Sequence, residues 1–116
     1  MEAVDPKGAT MAKYLWSVSY TQSGIQGLMK EGAVSRRDYI AKLVGDLGGK
    51  IEAFYWAFGE ADLFVIVDLP DNQTAAGVGM AVAASGAVSI QTTVLLTAED
   101  MDAATAKGVP YRAPGA

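Results

Sequence analysis

Two short apolar runs joined by a tight connection restrict the fold of this chain more than any other feature. The runs are Ile51 to Phe58 and Leu63 to Leu69, and the connection between them is Gly59-Glu60-Ala61-Asp62. Runs rich in aromatic and β-branched residues at this spacing predict a β-hairpin. A strand with one solvated face alternates apolar and polar residues, whereas both faces of these runs are apolar. We therefore expect the hairpin to be covered on both sides.

Two further strands and three helical segments accompany the hairpin in the predicted domain. The strands are expected at residues 12–21 and 88–96. Thr21 is placed to cap a short helix that Gly32 ends, and Asp71 is placed to cap a helix over residues 72–84. Between these, Ser35 is expected to open a helix whose apolar stripe faces the sheet and which ends at Gly48 or Gly49. The stripe consists of Ile40, Leu43, Val44 and Leu47.

The resulting order is β-α-β-β-α-β, with the first helix broken in two. This order predicts a ferredoxin-like α+β fold, in which a four-stranded antiparallel sheet carries its helices on one face. With 116 residues the chain forms one domain. We expect the domain at residues 11–105, an N-terminal extension at residues 1–10 and a C-terminal tail at residues 106–116. Thr97 is expected to begin a last short helix with acidic residues in its first turn.

Composition excludes several classes of function. The chain has no cysteine and no histidine, which removes disulfides, thiolate nucleophiles, an axial histidine for haem and a Ser-His-Asp triad. Its acidic residues are dispersed, so we predict neither a metal site nor a cofactor. The net charge of −4, with scattered Lys and Arg, argues against nucleic acid or an anionic membrane as a partner.

The location of the protein is predicted from two stretches. Residues 1–10 lack the apolar segment of a signal peptide, so we expect a cytoplasmic protein. Residues 72–98 contain no charge, which by length alone fits a membrane span. This stretch is rich in Gly, Ala, Ser and Thr, however, and Ser85-Gly86 interrupts it. A buried helix followed by a buried strand is the preferred interpretation.

Strand alternation divides the side chains between a face covered by the helices and an open face. The helices of one such unit cover a single side, so the open face must meet water, a ligand or another subunit. Alternation along each run places Tyr14, Trp16 and Tyr55 under the helices. It places these residues on the open face: Leu15, Ser17, Ser19, Phe54, Trp56, Phe58, Phe64, Ile66, Asp68, Ser89, Gln91, Thr93 and Leu95.

The aromatic residues of the open face predict assembly. Each buries about 150–250 Å² when covered, which is too much to leave in water on a small monomer. One interpretation is a homodimer, or a larger assembly of dimers, that buries this face and does nothing more. The other is that the two sheets enclose a cavity for a small apolar ligand. Its polar groups are then Ser17, Gln91 and Thr93, with Phe54 and Trp56 as apolar contacts.

Four other polar residues are weaker candidates for function. Arg36 and Arg37 stand in the first turn of a predicted helix, where a cation opposes the helix dipole. A compensating anion there and an ordinary solvated pair are both open interpretations. Glu60 and Asp62 lie close enough for acid-base chemistry, but in a hairpin connection such residues more often form the turn.

Several segments carry a family resemblance. They are Tyr14-Leu15, the TQSG sequence before the first helix, GGK at residues 48–50, FGEAD at residues 58–62, PDN at residues 70–72 and TTVLLTAEDMD near the end. Together they resemble the GYD domain family over roughly residues 11–102. The chain differs at Ala61, where the family pattern has tyrosine, so no role of that phenol is carried over. The resemblance implies a ferredoxin-like unit of the dimeric α/β-barrel type, in a family whose activity is largely uncharacterised.

Two functions from different classes remain open. The preferred one is an oligomeric binding module with an apolar, aromatic pocket on the sheet face. The alternative is a cofactor-independent enzyme, of monooxygenase or isomerase type, acting on a small aromatic or polyketide-like substrate; this rests on analogy with related folds. Its base would be Asp68, which alternation places on the open face of a central strand. The competing interpretation of Asp68 is an ordinary charge at a strand end.

Overall fold

A computed structural model describes residues 11–116 of the chain. Its element order is β1 (Ala12–Tyr20), α1 (Gln22–Glu31), α2 (Ala33–Asp46), β2 (Lys50–Trp56), β3 (Leu63–Leu69), α3 (Asn72–Ala84), β4 (Val88–Leu95) and α4 (Ala98–Thr105). The strands form one antiparallel sheet in the order β2-β3-β1-β4. This is the predicted ferredoxin-like α+β architecture. The predicted extension at residues 1–10 lies outside the described residues.

The core lies between the sheet and the helices α2 and α3. Tyr14 and Trp16 of β1 are buried opposite Val67 and Val65 of β3, because residues paired across two strands share a face. The helices add Val44 from α2 and Ala75 from α3 to the same cluster. None of the helices in the described part of the chain is long and apolar enough to cross a membrane.

Side-chain caps begin three of the helices at predicted residues. Thr21 accepts a hydrogen bond from the backbone N–H of Gly24, and Asp71 accepts one from that of Thr74. Thr97 and Asp100 form a reciprocal capping box at the start of α4. Gly48, at φ +84°, follows the end of α2 in the left-handed conformation that favours glycine. The predictions for these ends are confirmed.

The start of α2 was predicted incorrectly. The helix begins at Ala33, with Gly32 as its N-cap and without a side-chain cap. Gly32 has a φ of +96° and also ends α1, so one glycine makes the whole corner between the two helices. Ser35 therefore lies inside the first turn, where its hydroxyl donates to the Glu31 carboxylate at 3.5 Å.

A β-bulge in β2 corrects the predicted division of the sheet faces. Ile51 pairs with Val67 and Ala53 with Ile66, so Glu52 is an extra residue in the β2 ladder. Beyond it, Phe54 pairs with Val65 and lies on the helix-covered face, whereas Tyr55 pairs with Phe64 on the open face. Trp56 also faces the helices, opposite Leu63. Strict alternation was wrong here because one inserted residue exchanges the faces of all residues that follow it.

Candidate functional site

The candidate site is built around Ser17 on the open face of the sheet. Ser17 lies on the central strand β1, directly between Phe64 on β3 and Gln91 on β4. Side chains at paired positions stand close together on one face, so the hydroxyl, the ring and the amide are neighbours. The pairing therefore brings hydrogen-bonding groups next to apolar surface at the middle of the sheet.

These residues form the floor of an open concavity of about 660 Å³. Its wall is the connection between β2 and β3, which contributes Phe58 and Glu60. Ser19 and Ser89, a pair across β1 and β4, extend the floor away from Gln91. The concavity has the size of an ordinary small-molecule site, and its lining combines aromatic rings with hydroxyl and amide groups.

Asp62 fixes the connection that forms this wall. Its carboxylate accepts a hydrogen bond from the backbone N–H of Tyr20 at 2.8 Å, and its own N–H donates to the carbonyl of Val18 at 2.8 Å. The Ser19 hydroxyl donates to the carbonyl of Glu60 at 3.3 Å. Asp62 thus ties the connection to the end of β1. These contacts favour turn formation over acid-base chemistry as the role of Asp62.

Phe58 projects from this fixed connection and is fully exposed. Phe64 on the floor is 40% exposed, and Tyr55, its partner on β2, is 73% exposed. The open face therefore presents three aromatic side chains to its surroundings in the described chain. Contiguous apolar surface of this kind marks an interaction or ligand site more often than a solvated face.

The structure brings together two of the five predicted ligand contacts. Ser17 and Gln91 are neighbours in the concavity, as the strand pairing requires. Thr93 lies on the same face, opposite Leu15, but outside the concavity. Phe54 and Trp56 lie on the helix-covered face, where their rings meet edge to face at 5.0 Å. Their predicted place beside Ser17 was wrong because of the β-bulge at Glu52.

Phe58 and Phe64 occupy the aromatic positions that Phe54 and Trp56 do not. Both were expected on the open face, but neither was predicted as a ligand contact. Phe64 stands directly opposite Ser17 in the ladder. Alternation along Leu63 to Leu69 placed Phe64 on the open face, but its pairing with Ser17 depends on the register between β1 and β3, which alternation does not give. Phe58 was placed on the open face by alternation along the run Ile51 to Phe58, but β2 ends at Trp56, so the connection between the strands and not alternation determines its position.

Asp68 lies near the other end of the open face and is held in an ion pair. It is 4% exposed, and its carboxylate is 2.9 Å from the ammonium of Lys13. Lys13 also contacts Glu52 at 2.7 Å. Burial lowers the pKa of Lys13, but hydrogen bonds and charge attraction from both carboxylates outweigh it and raise that pKa above its ordinary value of 10.5. Asp68 is thus a charge-compensated group outside the concavity.

The charged groups of the described residues form no metal site. Among residues 11–116, no cluster of three or more acidic side chains is arranged to hold a metal ion. Arg37 pairs with Asp38 at 3.2 Å, whereas Arg36 lies 3.9 Å from Glu31 and 5.0 Å from the centre of the Tyr39 ring.

Comparison with known proteins agrees with the fold and the motifs described above. The model of the GYD domain matches residues 14–105, which is most of the chain. Neither a curated protein nor a solved structure matched. The match begins in β1 and ends with α4, so it includes the floor and the wall of the concavity. The chain therefore belongs to the GYD domain family.

Proposed function

We propose that the protein is a homo-oligomeric module that binds a small, mainly apolar ligand on the open face of its sheet. The observation that carries the proposal is the group formed by Phe58 and Phe64 around Ser17 and Gln91. The two rings supply apolar contact area, and the hydroxyl and amide orient a bound molecule through hydrogen bonds. A ligand with one or two polar atoms on an apolar body complements this arrangement.

A second copy of the chain is the cover that suits the open face best. In one chain the aromatic side chains of this face remain in water, and the concavity is open on the side away from the sheet. Two sheets facing each other would enclose the concavity and bury both sets of rings. An interface of ordinary size, about 1,600 Å² in total, accommodates these surfaces.

The C-terminal segment supports the same proposal. Helix α4 contributes no buried residue, and Met101 on it is 54% exposed. The segment that follows exposes Val109 and Tyr111 as well. A capped helix with unburied apolar side chains gains stability when it packs on another surface. The partner subunit offers such a surface if the two sheets face each other.

None of the contacts that Asp68 makes favours the alternative function, a cofactor-independent enzyme. One oxygen of its carboxylate is engaged by the Lys13 ammonium at 2.9 Å, and the residue is 4% exposed, so little of it is open to a substrate. Lys13 and Ser17 are four residues apart on β1, a distance of about 13 Å along a strand. A ligand in the concavity would therefore not reach Asp68.

A substrate screen that compares the wild type with Asp68→Asn separates the two functions. Ligand binding without turnover in both proteins supports the binding module. Turnover that is present in the wild type and lost in the variant supports the enzyme.

Light scattering and native mass spectrometry test the two halves of the proposal. We expect the wild type to be a dimer or larger at micromolar concentration and Phe64→Glu to be a folded monomer, because the substitution places a charge in the interface. Met29→Glu is the matched control, since Met29 is exposed on α1. A stable wild-type monomer would overturn the assembly.

For the ligand, we expect native spectra to show a bound small molecule that Gln91→Ala retains less well. The amide of Gln91 orients the ligand in the proposed site, so removal of the amide weakens binding and leaves the fold intact. A concavity filled by partner side chains, with no ligand in any spectrum, would leave a purely structural protein.

A further inference from the structure

The outer edge of β4 presents backbone groups without partners in the described chain. β4 is the last strand of the sheet and is paired with β1. The N–H of Thr21 donates to the carbonyl of Ala87 at 2.9 Å, and these two residues continue the register of β1 and β4. In an antiparallel pair every second residue bonds to the partner strand, so the odd-numbered residues of β4 bond to β1. The N–H and carbonyl groups of Ile90, Thr92 and Val94 therefore point away from the sheet.

The segment that follows β4 leaves this edge open. Within residues 11–116, no backbone hydrogen bond joins residues 96–116 to β4. Helix α4, which comes directly after the strand, contributes no buried residue. A row of unpaired backbone groups along a strand is a template for pairing with another strand.

The opposite edge of the sheet is protected against such pairing, whereas β4 is not. At that edge, β2 carries the charged residues Lys50 and Glu52 and the bulge at Glu52. Charges and bulges are the features by which natural edge strands avoid other chains. The eight residues of β4 contain no charge, proline or glycine, and they pair with β1 without a shift in register. β4 is therefore the edge that suits another strand.

The surface beside this edge is apolar and uncharged. A groove of about 460 Å³ lies between α3 and β4 on the helix-covered side of the sheet. Met80 on α3 and Val94 on β4 line the groove and are 70% and 57% exposed. No charged residue occurs from Asn72 to Ala98, so neither α3 nor β4 carries a charge. Depletion of charge around exposed apolar side chains is typical of the centre of a protein interface.

A second copy of β4 is the strand that matches this edge. A charged partner strand would bring charges that α3 and β4 cannot compensate, whereas a second copy brings an uncharged strand and an uncharged helix. Two identical strands related by a two-fold axis pair antiparallel. Paired residues share a sheet face, so even-numbered residues must pair with even-numbered ones. The centre of β4 falls between Gln91 and Thr92, so the greatest overlap that meets this condition places one of these two residues on the axis.

We infer that β4 pairs with β4 of a second copy and joins the two sheets into one sheet of eight strands. The pairing gives partners to the outward backbone groups of Ile90, Thr92 and Val94, and it places α3 of both copies on the same side of the joint. This contact is separate from the open face and does not depend on the proposed ligand site. One strand pair with the sides of two helices forms a small interface, below about 1,200 Å², so we expect it to be weaker than the open-face assembly.

Sedimentation velocity of Phe64→Glu at increasing concentration isolates this contact, because that substitution removes the open-face assembly. We expect a monomer at about 1 μM and a dimer at about 500 μM. Adding Thr92→Lys is expected to raise the dissociation constant about ten-fold or more, because it places like charges close together across the strand pair. Met29→Lys is the matched control, since Met29 is exposed on α1, and is expected to leave the dissociation constant unchanged.

The wild-type chain gives the same information if Phe64→Glu does not fold. There the contact is expected as a second association step, from dimer to tetramer, at high concentration. Thr92→Lys should remove this step, and Met29→Lys should retain it.

Single cysteines identify the paired strands, since the chain has no cysteine of its own. In the Phe64→Glu background, we expect either Gln91→Cys or Thr92→Cys to form a disulfide between two copies on mild oxidation. A residue on the two-fold axis lies about 4.5–5.5 Å from its equivalent, which is within disulfide range. Ser89→Cys is the matched control. Its equivalent lies at least four residues further along the strand, about 13 Å away, so we expect no disulfide.

Two results would overturn the inference. One is a Phe64→Glu protein that stays monomeric at every concentration, together with a wild-type protein that shows no second association step. The other is a dimer in which neither Gln91→Cys nor Thr92→Cys forms a disulfide, because β4 would then pair with β2 of another copy or take no part in the contact. Neither result bears on the ligand site at Ser17 and Gln91, which native mass spectrometry tests separately.

Discussion

The ammonium of Lys13 bridges the carboxylate of Asp68, at 2.9 Å, and that of Glu52, at 2.7 Å. Asp68 is buried, whereas the Glu52 side chain is 52% exposed. Lys13 and Asp68 are paired residues of β1 and β3, and Glu52 is the extra residue of the β2 bulge. Lys13 therefore links three strands at the end of the open face away from Ser17.

Loss of Lys13 is expected to cost more stability than loss of Glu52. Lys13→Met leaves the Asp68 carboxylate buried without its cation, which we expect to lower the free energy of unfolding by about 2 kcal/mol. Glu52→Gln removes an exposed partner and is expected to cost less than about 1 kcal/mol. Urea denaturation at neutral pH measures both. Equal losses would show that Asp68 does not depend on Lys13.

The same contact predicts a loss of stability in strong alkali. The pKa of Lys13 is raised in the folded protein above its ordinary value of 10.5. The folded state thus holds the proton more tightly than the unfolded state, so this contribution is complete below about pH 10.5 and is lost as the pH rises through the folded pKa. We expect the stability difference between wild type and Lys13→Met to shrink over that interval. A difference that grows with pH would contradict the sign.

The sequence was sufficient to predict the elements and the ends of most helices. Thr21, Asp71 and Thr97 are good N-caps because a short side-chain oxygen reaches a free backbone N–H two or three residues on, and this chemistry is local. The division of the β1 and β4 side chains between the two sheet faces was also predicted correctly, since neither strand contains an extra residue. Ser17 and Gln91 could therefore be placed together from alternation alone.

The part of the site that depends on β2 could not be predicted in the same way. A bulge is set by how two strands pair, and the residue types around Glu52 do not mark its position. Phe54 and Trp56 were accordingly assigned to the wrong face. Gly32 was correctly predicted to end α1, but the start of α2 was placed at Ser35, because Ser35 offered a capping pattern while the helix begins at Ala33. The bulge depends on strand pairing, whereas the start of α2 was a choice between two local signals, the positive φ of Gly32 and the capping pattern at Ser35.

Adjacent residues of β2 test the position of the bulge. We expect Trp56→Ala to lower the free energy of unfolding by about 2–3 kcal/mol, because Trp56 packs on the core under the helices. Tyr55→Ala is expected to cost less than about 1 kcal/mol in the monomer, since Tyr55 faces outward. Chemical denaturation of each variant in the Phe64→Glu background removes any effect of assembly. A larger loss of stability for Tyr55→Ala than for Trp56→Ala would mean that β2 alternates strictly and has no bulge at Glu52.

Two glycines of α1 provide the last prediction, because they have the same backbone setting and different surroundings. A Cβ on Gly24 would overlap the carbonyl oxygen of Ala87, which also accepts the backbone N–H of Thr21 at 2.9 Å. A Cβ on Gly27 meets no atom within 4 Å. We expect Gly24→Ala to destabilise the protein by about 2–3 kcal/mol, because α1 must move away from the start of β4. Gly27→Ala is expected to stabilise it by about 0.5–1 kcal/mol, since alanine favours the helix. Thermal unfolding should show a lower melting temperature for Gly24→Ala and a higher one for Gly27→Ala. If Gly24→Ala raised the melting temperature as well, α1 would not be held against Ala87.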